Sequence, residues 1–532
     1  LRTSISAPAG GIRPFQASVP AQGLVSSVHA WQWLVPDLAL MAAAVTLFYS
    51  LFLFGGYRSF FHDSDAGWHI RTGELILRAG ALPHTDPFSF TQTGNSWFAW
   101  EWLADTAVGF IHRSAGLAGV ALFYSAVLAA GVWLWFRLNW AAGGSFLLAA
   151  LFAIPMLSTT NLHWLARPHL LSWIFLLLTV RFAIRPRFTP PAFVMIAAVS
   201  CLWANVHASF LMGPAILFAY AAGTALRGFV FAGDAAADRS QARDFLLAAA
   251  VALMATLLNP YGIGLHRHVV AYLMDSALLD RIGEFQSFNF HLAGSGQILL
   301  ALGIAGVGGV LSLARRELGS FLQIAVLLAL ALHSARALPL VTLLALPLAN
   351  GAITQTLRSA QGLTISFRNF LQGALNYSDR LRAIDRASSG LVWVPMLLLL
   401  AAFSLRIPAV AANTGFPPAE FPVAASSAVA KLPADARILA PDKFGGYLIH
   451  RFAGERKVFF DGRSDLYGAE FLSRYGDLTQ LRPGWQSTLD RYHFTHALLP
   501  ANAPLIGALE SAGWICLYRD PVASLLARTS RN

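Results

Sequence analysis

The stretch Phe61-His62-Asp63-Ser64-Asp65-Ala66-Gly67-Trp68-His69 sets two carboxylates and two imidazoles directly after the first long apolar run of the chain. Charge beside lipid is costly unless it is used, so the point where this run gives way to a polar segment reaching Glu101 and Trp102 organises the rest of the reading. An Asp-x-Asp pair here can share a divalent cation such as Mg²⁺ or Mn²⁺, or one Asp can act as general base on an acceptor hydroxyl. The same acids can instead cap a helix that begins near Ala66. The residues alone leave these uses open.

Around this stretch lie 532 residues, of which 56% are hydrophobic and 12% charged, with a mean hydropathy of +0.55. Such a chain cannot be one soluble core with an ordinary surface, and it is expected to be a polytopic α-helical membrane protein. The formal net charge of +11 falls mostly in short loops between apolar runs, where basic residues set orientation; no nucleic-acid partner is expected. Cys201 sits in an apolar run and Cys516 near the C-terminus, so neither a disulfide framework nor a cysteine metal site is indicated. Residues 1–30 lack periodicity and a cleavage pattern, and read as a flexible cytoplasmic tail.

Apolar runs able to span the hydrocarbon occur at about 32–55, 116–136, 142–158, 168–184, 192–206, 208–226, 244–259, 297–313, 319–334, 337–353 and 391–408, giving about eleven spans within residues 31–408. Arginines follow every second run: Arg181, Arg185 and Arg187; Arg227, Arg239 and Arg243; Arg315 and Arg316; then Arg358, Arg368, Arg380, Arg382 and Arg386. Those loops are expected to be cytoplasmic, which turns the loop 57–115, the other intervening loops and everything after about 409 outward. Every histidine except His29 then lies in or beside an outward segment. Functional polar residues would crowd one face, although histidine and tryptophan also favour membrane interfaces in general.

The first outer loop is too long for a simple connector. From Trp68 to Leu77 its pattern suits an amphipathic helix lying along the membrane, and Ala99 to Arg113 a second one. Other outward elements could converge on it: Arg167 before the fourth span, Asn205 and His207 where two spans meet, Arg267 beyond Asn259-Pro260-Tyr261-Gly262, and Arg336 between the ninth and tenth spans. Arg167, Arg267 and Arg336 can hold phosphate by paired N–H donors, or can snorkel to headgroups. Asp63, Asp65, His69, Glu101, Arg167 and His207 are expected to line one cavity at the outer boundary, with Trp68 beside them.

Past about Gly415 the composition changes, and residues 415–532 read as a small extracytoplasmic α/β domain. Strand-like runs at Arg437–Ala440, Lys457–Phe460, Thr495–Leu499, Trp514–Tyr518 and Ala523–Ala527 alternate with helical stretches. Tyr447 lies in Phe444-Gly445-Gly446-Tyr447-Leu448-Ile449, and Asp461 and Arg463 in Val458-Phe459-Phe460-Asp461-Gly462-Arg463. A strand ending in Asp-Gly-Arg would offer a carboxylate and a guanidinium where α/β sheets bind ligands; the alternative is a tight turn with an internal ion pair.

Many spans, an acidic motif after the first of them and an outer C-terminal α/β domain together resemble the polyprenyl-phosphate-dependent membrane glycosyltransferases of the GT-C fold. The Gly445–Arg463 region is similar in layout to the Trp-Trp-Asp-Tyr-Gly region of oligosaccharyltransferase catalytic subunits. The Trp-Trp-Asp itself is missing, so sequon binding does not carry over. The resemblance implies transfer of a sugar from a polyprenyl-phosphate donor to an extracytoplasmic glycan, lipid or protein acceptor, in a bacterial inner membrane with a periplasmic C-terminal domain. Asp63 or Asp65 would be the acid that meets acceptor or metal, with His69 and Glu101 as further catalytic groups. Trp68, Arg167, Asn205, His207, Arg267, Arg336, Tyr447, Asp461 and Arg463 would be substrate-binding. The competing readings are a non-catalytic subunit of a membrane complex and a transporter, the latter disfavoured by the lack of an evident internal repeat.

Overall fold

The computed structural model describes residues 32–53, 55–185, 188–231, 234–411 and 415–529. The expected tail 1–30, with His29, and Arg187 lie outside the described residues. Helices dominate. Five are long and apolar enough to cross a membrane: Trp102–Ala141, Phe146–His163, Ala208–Val230, Ser295–Ala314 and Ala335–Ser359. Five shorter apolar helices cover Leu38–Phe52, His169–Ala183, Pro190–Ala204, Leu318–His333 and Leu391–Ser404. These ten fall on ten of the expected runs, and the remaining run, 244–259, falls largely within helix Ala235–Ala255. That helix carries Asp238, Arg239, Arg243 and Asp244 in its first half, so its length is not uniformly apolar.

The first helix, α1 (Leu38–Phe52), is started by Asp37, whose Oδ1 accepts the Leu40 N–H at 2.8 Å. The second, α2 (Asp65–Ala79), ends at Gly80 with φ 64° and ψ 16°, the left-handed stop that glycine adopts most easily. The third, α3 (Trp102–Ala141), bends at Gly116, whose φ of 62° and ψ of −161° interrupt the helix. Two expectations change here. The helix anticipated over Ala99–Arg113 is the first part of α3 and continues into the span. Nor does α2 keep a free polar face: Asp65 to Ile70, Thr72 to Glu74 and Ile76 are buried within the protein.

The burial of α2 has a steric basis in its glycines. A Cβ on Gly73 would overlap the backbone carbonyl oxygen of Asp105, and one on Gly67 the carbonyl oxygen of Gly446. Only glycine lets α3 and the helix Asp442–Arg451 approach α2 this closely on its two sides. Loose alternation of polar and apolar residues suggests an interfacial helix because it cannot reveal two partners remote in sequence.

The C-terminal region carries a four-stranded sheet ordered β1-β2-β4-β3, from β1 (Ile438–Leu439), β2 (His496–Pro500), β3 (Ile515–Arg519) and β4 (Ala523–Ala527). The β1–β2 pair is parallel and the others antiparallel, with Leu498 opposite Leu525. The run Lys457–Phe460 is not a strand of this sheet. It makes an isolated bridge from Val458 to Ser89 in the segment between α2 and α3, whose Phe90 N–H donates to the Val458 carbonyl at 3.0 Å. Its apolar residues are buried by side-chain packing instead: Phe459 and Phe460 join Tyr467, Phe471, Phe494 and Leu499 in one cluster. A fully buried aromatic of this kind stabilises the fold by roughly 1.5–3 kcal/mol. The segment between α2 and α3 and the C-terminal region thereby meet along residues 86–91 and 457–463.

Candidate active site

The start of helix α2 lines a cavity of about 1540 Å³ shared by the helices and the C-terminal region. Its lining includes the charged and polar residues Asp63, Asp65, Glu101, Arg167, His207, Glu284 and Arg336. Apolar residues share the lining, among them Leu165, Trp173, Leu176, Leu211, Met212, Phe285, Leu330 and Leu340.

Arg167 is the centre of a charged cluster in this lining. Its Nη1 lies 2.7 Å from Asp63 Oδ2 and 3.0 Å from Glu284 Oε1, and its Nη2 lies 3.1 Å from Asp65 Oδ2. Arg336 approaches the other oxygen of Glu284 at 3.4 Å and lies over the Phe285 ring. The backbone explains the acids' positions: Asp63 Oδ1 accepts the Asp65 N–H at 2.9 Å, and the helix cap is Ser64, with no capping bond from its side chain. The capping alternative therefore holds only as this one local bond of Asp63. Burial, together with the neighbouring Asp63 charge, pushes the Asp65 carboxyl up to about 7 despite Arg167. Glu284 goes the other way: the charge of Arg167, helped by Arg336, outweighs burial and holds it well below the usual range.

A second group lies beside the first. Glu101 sits between two imidazoles, 3.6 Å from His69 Nε2 and 3.4 Å from His207 Nε2. Burial pushes its carboxyl up to about 8, with Arg167 and Arg336 opposing, so it is mainly protonated at neutral pH. His69 Nδ1 meets Asp105 Oδ1 at 2.7 Å, one partner of the pair holding the proton. Burial keeps both His69 and His207 well below their ordinary pKa, hence neutral. His207 Nδ1 is 2.8 Å from the Ser209 hydroxyl, which donates to Ser172.

Of the anticipated residues, Asp63, Asp65, Trp68, Glu101, Arg167, His207, Arg336, Asp461 and Arg463 line this cavity. His69 stands behind the lining, its ring against that of Trp68 at 3.6 Å between centroids. Three do not reach it. Arg267 is exposed, because its neighbours His266 and His268 take the inward faces of their helix, toward Thr256 and Asp465. Tyr447 packs against Phe416 and Phe421. Asn205 is occupied structurally: its amide nitrogen donates to the carbonyls of Cys201 and Leu258, each at 2.8 Å, and its oxygen accepts the Trp102 indole N–H. Asp461 and Arg463 are at the cavity wall but bind each other, as the tight-turn alternative requires, and Arg463 also binds Asp86.

Two acids of the site, Glu284 and Asp105, are given no role by the sequence. Glu284 lies with Asp280 and Arg281 beyond the Asn259-Pro260-Tyr261-Gly262 turn, in a segment with no motif of its own. Asp105 follows Glu101 by four residues at the start of an apolar helix, and that spacing is the signal the sequence offers for it.

A divalent ion shared by Asp63 and Asp65, as anticipated, does not fit this arrangement. The oxygens that would ligate it face a guanidinium, and among the described residues no group of three or more His, Cys, Asp or Glu side chains could hold a metal.

No family model and no curated protein matches the chain. Among solved structures it is similar to the Archaeoglobus fulgidus oligosaccharyltransferase in its apo form, at 10% identity and a TM-score of 0.50, over 87% of this chain and 69% of that one. It is also similar to archaeal oligosaccharyltransferase AglB from Archaeoglobus fulgidus in complex with an inhibitory peptide and a dolichol-phosphate, at 11% identity and a TM-score of 0.51, with the same coverage. The chain has the GT-C fold of an archaeal oligosaccharyltransferase. In the GT-C frame the helices, α2 and the C-terminal sheet are parts of one architecture. At this identity the likeness speaks for the fold, and the chemistry rests on the residues.

Proposed function

We propose that this chain is a membrane glycosyltransferase that moves a sugar from a polyprenyl-phosphate donor to an extracytoplasmic acceptor, which can be a glycan, a lipid or a protein. The observation that supports this reading most is a large cavity whose lining combines a cluster of acids and arginines around Arg167 with leucines and aromatic side chains. A lipid-linked sugar phosphate has both a charged and an apolar part to match. Archaeal AglB, a protein of this fold, forms a complex with a dolichol-phosphate, a lipid phosphate of matching chemistry.

The isoprenoid chain enters between helices and lies along Leu176, Leu330 and Leu340. Its phosphate is held by Arg336 and by the guanidinium of Arg167. Asp63, paired with Arg167, takes the proton of the acceptor hydroxyl as that oxygen attacks the anomeric carbon. The bond from that carbon to the phosphate oxygen breaks, and the electron pair leaves on the phosphate. Protonated Glu101, supported by His69 and His207, binds sugar or acceptor hydroxyls and excludes water. In this reading about eleven spans place the loop 57–115 and residues 415–532 outside a bacterial inner membrane, with the N-terminus inside.

Transfer from a polyprenyl-phosphate sugar in reconstituted liposomes tests the reading. Wild type is expected to transfer, and folded Asp63→Asn to lose transfer, with Asp65→Asn measured in parallel. Transfer by Asp63→Asn at the wild-type rate would remove the base role. Failure of the wild type with every lipid-linked donor offered would favour a non-catalytic subunit.

A further inference from the structure

We propose that Arg167 is the built-in cation of this site, standing where a divalent ion would have to sit among Asp63, Asp65 and Glu284, so that the site works without a bound metal. The inference rests on the glycosyltransferase reading for its chemistry but on geometry for its substance. Three carboxylates, two from Asp63-Ser64-Asp65 and one from the distant Glu284, converge on a single guanidinium, at 2.7, 3.1 and 3.0 Å. A hard divalent cation needs several such oxygens about 2.0–2.6 Å from one point. Here each of the three acids turns an oxygen toward the arginine, and two of them share its Nη1.

Charge leads to the same result. Arg167 already pairs with the carboxylates of Asp63, Asp65 and Glu284, and Arg336 adds a second guanidinium beside Glu284. An added divalent ion would lie within a few ångströms of a permanent positive charge, in a partly desolvated chamber where repulsion is poorly screened. The guanidinium also has donors fixed in a plane, so it can neutralise a leaving phosphate without a metal's need to shed water. Arg167 is held in place by chain geometry as well: its own N–H donates to the Leu165 carbonyl at 2.8 Å, and Ala166 N–H to the Phe60 carbonyl at 2.8 Å. The loop before helix His169–Ala183 is thereby tied to the residues just ahead of Asp63.

The test is Mn²⁺ binding by the full chain in detergent, followed by electron paramagnetic resonance with MnCl₂ as the probe. Wild type is expected to leave the free-ion signal undiminished at one Mn²⁺ per chain. Arg167→Gln, which frees three carboxylates, is expected to take up about one Mn²⁺, and Arg167→Gln with Glu284→Gln to lose it. Stoichiometric Mn²⁺ on wild type that disappears in Glu284→Gln would overturn the proposal, as would folded Arg167→Gln that binds none. Should Arg167→Gln not fold, wild type against Glu284→Gln decides: no uptake by either supports the proposal, and uptake lost in Glu284→Gln refutes it. Wild-type transfer is expected to continue in EDTA. Absence of transfer with all donors would fault the functional reading and leave the Mn²⁺ result standing.

Discussion

Replacing Arg463 by methionine separates a structural use of this residue from the substrate-binding use that its position after a Gly suggested. Its side chain is 1% exposed, and those of Asp86 and Asp461 are 0% exposed. Arg463 Nη2 lies 2.7 Å from both Asp86 Oδ1 and Asp461 Oδ2, Nε lies 2.8 Å from Asp461 Oδ1, and the guanidinium stacks over Trp97 and Phe88. Methionine of similar length would leave two carboxylates without a counter-charge in a dry interior. Removing one partner of a buried pair costs about 3–5 kcal/mol, against about 0–1 kcal/mol for an exposed pair. The residual donors, Tyr467 to Asp461 and the Ser89 and Phe88 groups to Asp86, place the expected loss toward the lower end.

Thermal unfolding in detergent by tryptophan fluorescence should show Arg463→Met melting well below wild type. Asp86→Asn should recover part of that loss in the double variant, since one stranded charge is then gone. The pH dependence follows from Asp86. Burial raises its carboxyl, but Arg463 and the donors of Ser89 and Phe88 outweigh it and hold the group below its ordinary value. A depressed acid contributes stability above its unfolded pKa, and that contribution is lost as pH falls through the folded one. Wild type should therefore weaken more than Arg463→Met on acidification below about pH 4. A melt of Arg463→Met within a degree of wild type, or strictly additive effects of the two substitutions, would refute the buried triad; weakened transfer at unchanged stability would return Arg463 to a substrate role.

Glu101, raised to about 8, gives the opposite sign. Its contribution is full below the unfolded pKa and is lost as pH rises through about 8, so wild type should lose stability at up to about 1.4 kcal/mol per pH unit on the way, and Glu101→Gln should flatten that decline in melts between pH 6 and 9. Gly73→Ala would drive a methyl into the Asp105 carbonyl; a loss of about 1–3 kcal/mol is expected, and an unchanged melting temperature would show that α2 and α3 do not pack as described. For orientation, single cysteines at the exposed positions Ser96 and Ser511 should react with an impermeant maleimide from outside, and one at Gln372 only from inside; outside labelling at Gln372 would reverse the proposed topology.

Much of the helical framework was legible because hydropathy acts residue by residue along a span. Ten of the eleven runs coincide with apolar helices, and four of the five strand-like runs with strands. The miss at Lys457–Phe460 has the same origin as the hits: a run of aromatics is apolar whether a ladder or a side-chain cluster buries it. Gly67 and Gly73 carried the close packing of α2, yet a glycine does not name its partner, and so α2 read as an amphipathic helix without the two helices that bury it. The acids Asp63 and Asp65 were visible from their place after the first span.

What they bind was decided only by the tertiary structure. Asp63 and Arg167 are 104 residues apart, Arg167 and Glu284 117, and Asp86 and Arg463 377. Periodicity is a local property and cannot encode such pairings. The sequence by itself determined an apolar helical chain with a C-terminal strand-and-helix region, because burial in lipid or core selects residue types position by position. Tertiary packing decided that Arg167 would face three carboxylates, that Arg463 would be held between two, and that Asn205, Arg267 and Tyr447 would stay out of the cavity. An ion pair's energy depends on distance in space and on exclusion of water, and both arise only once the helices have packed.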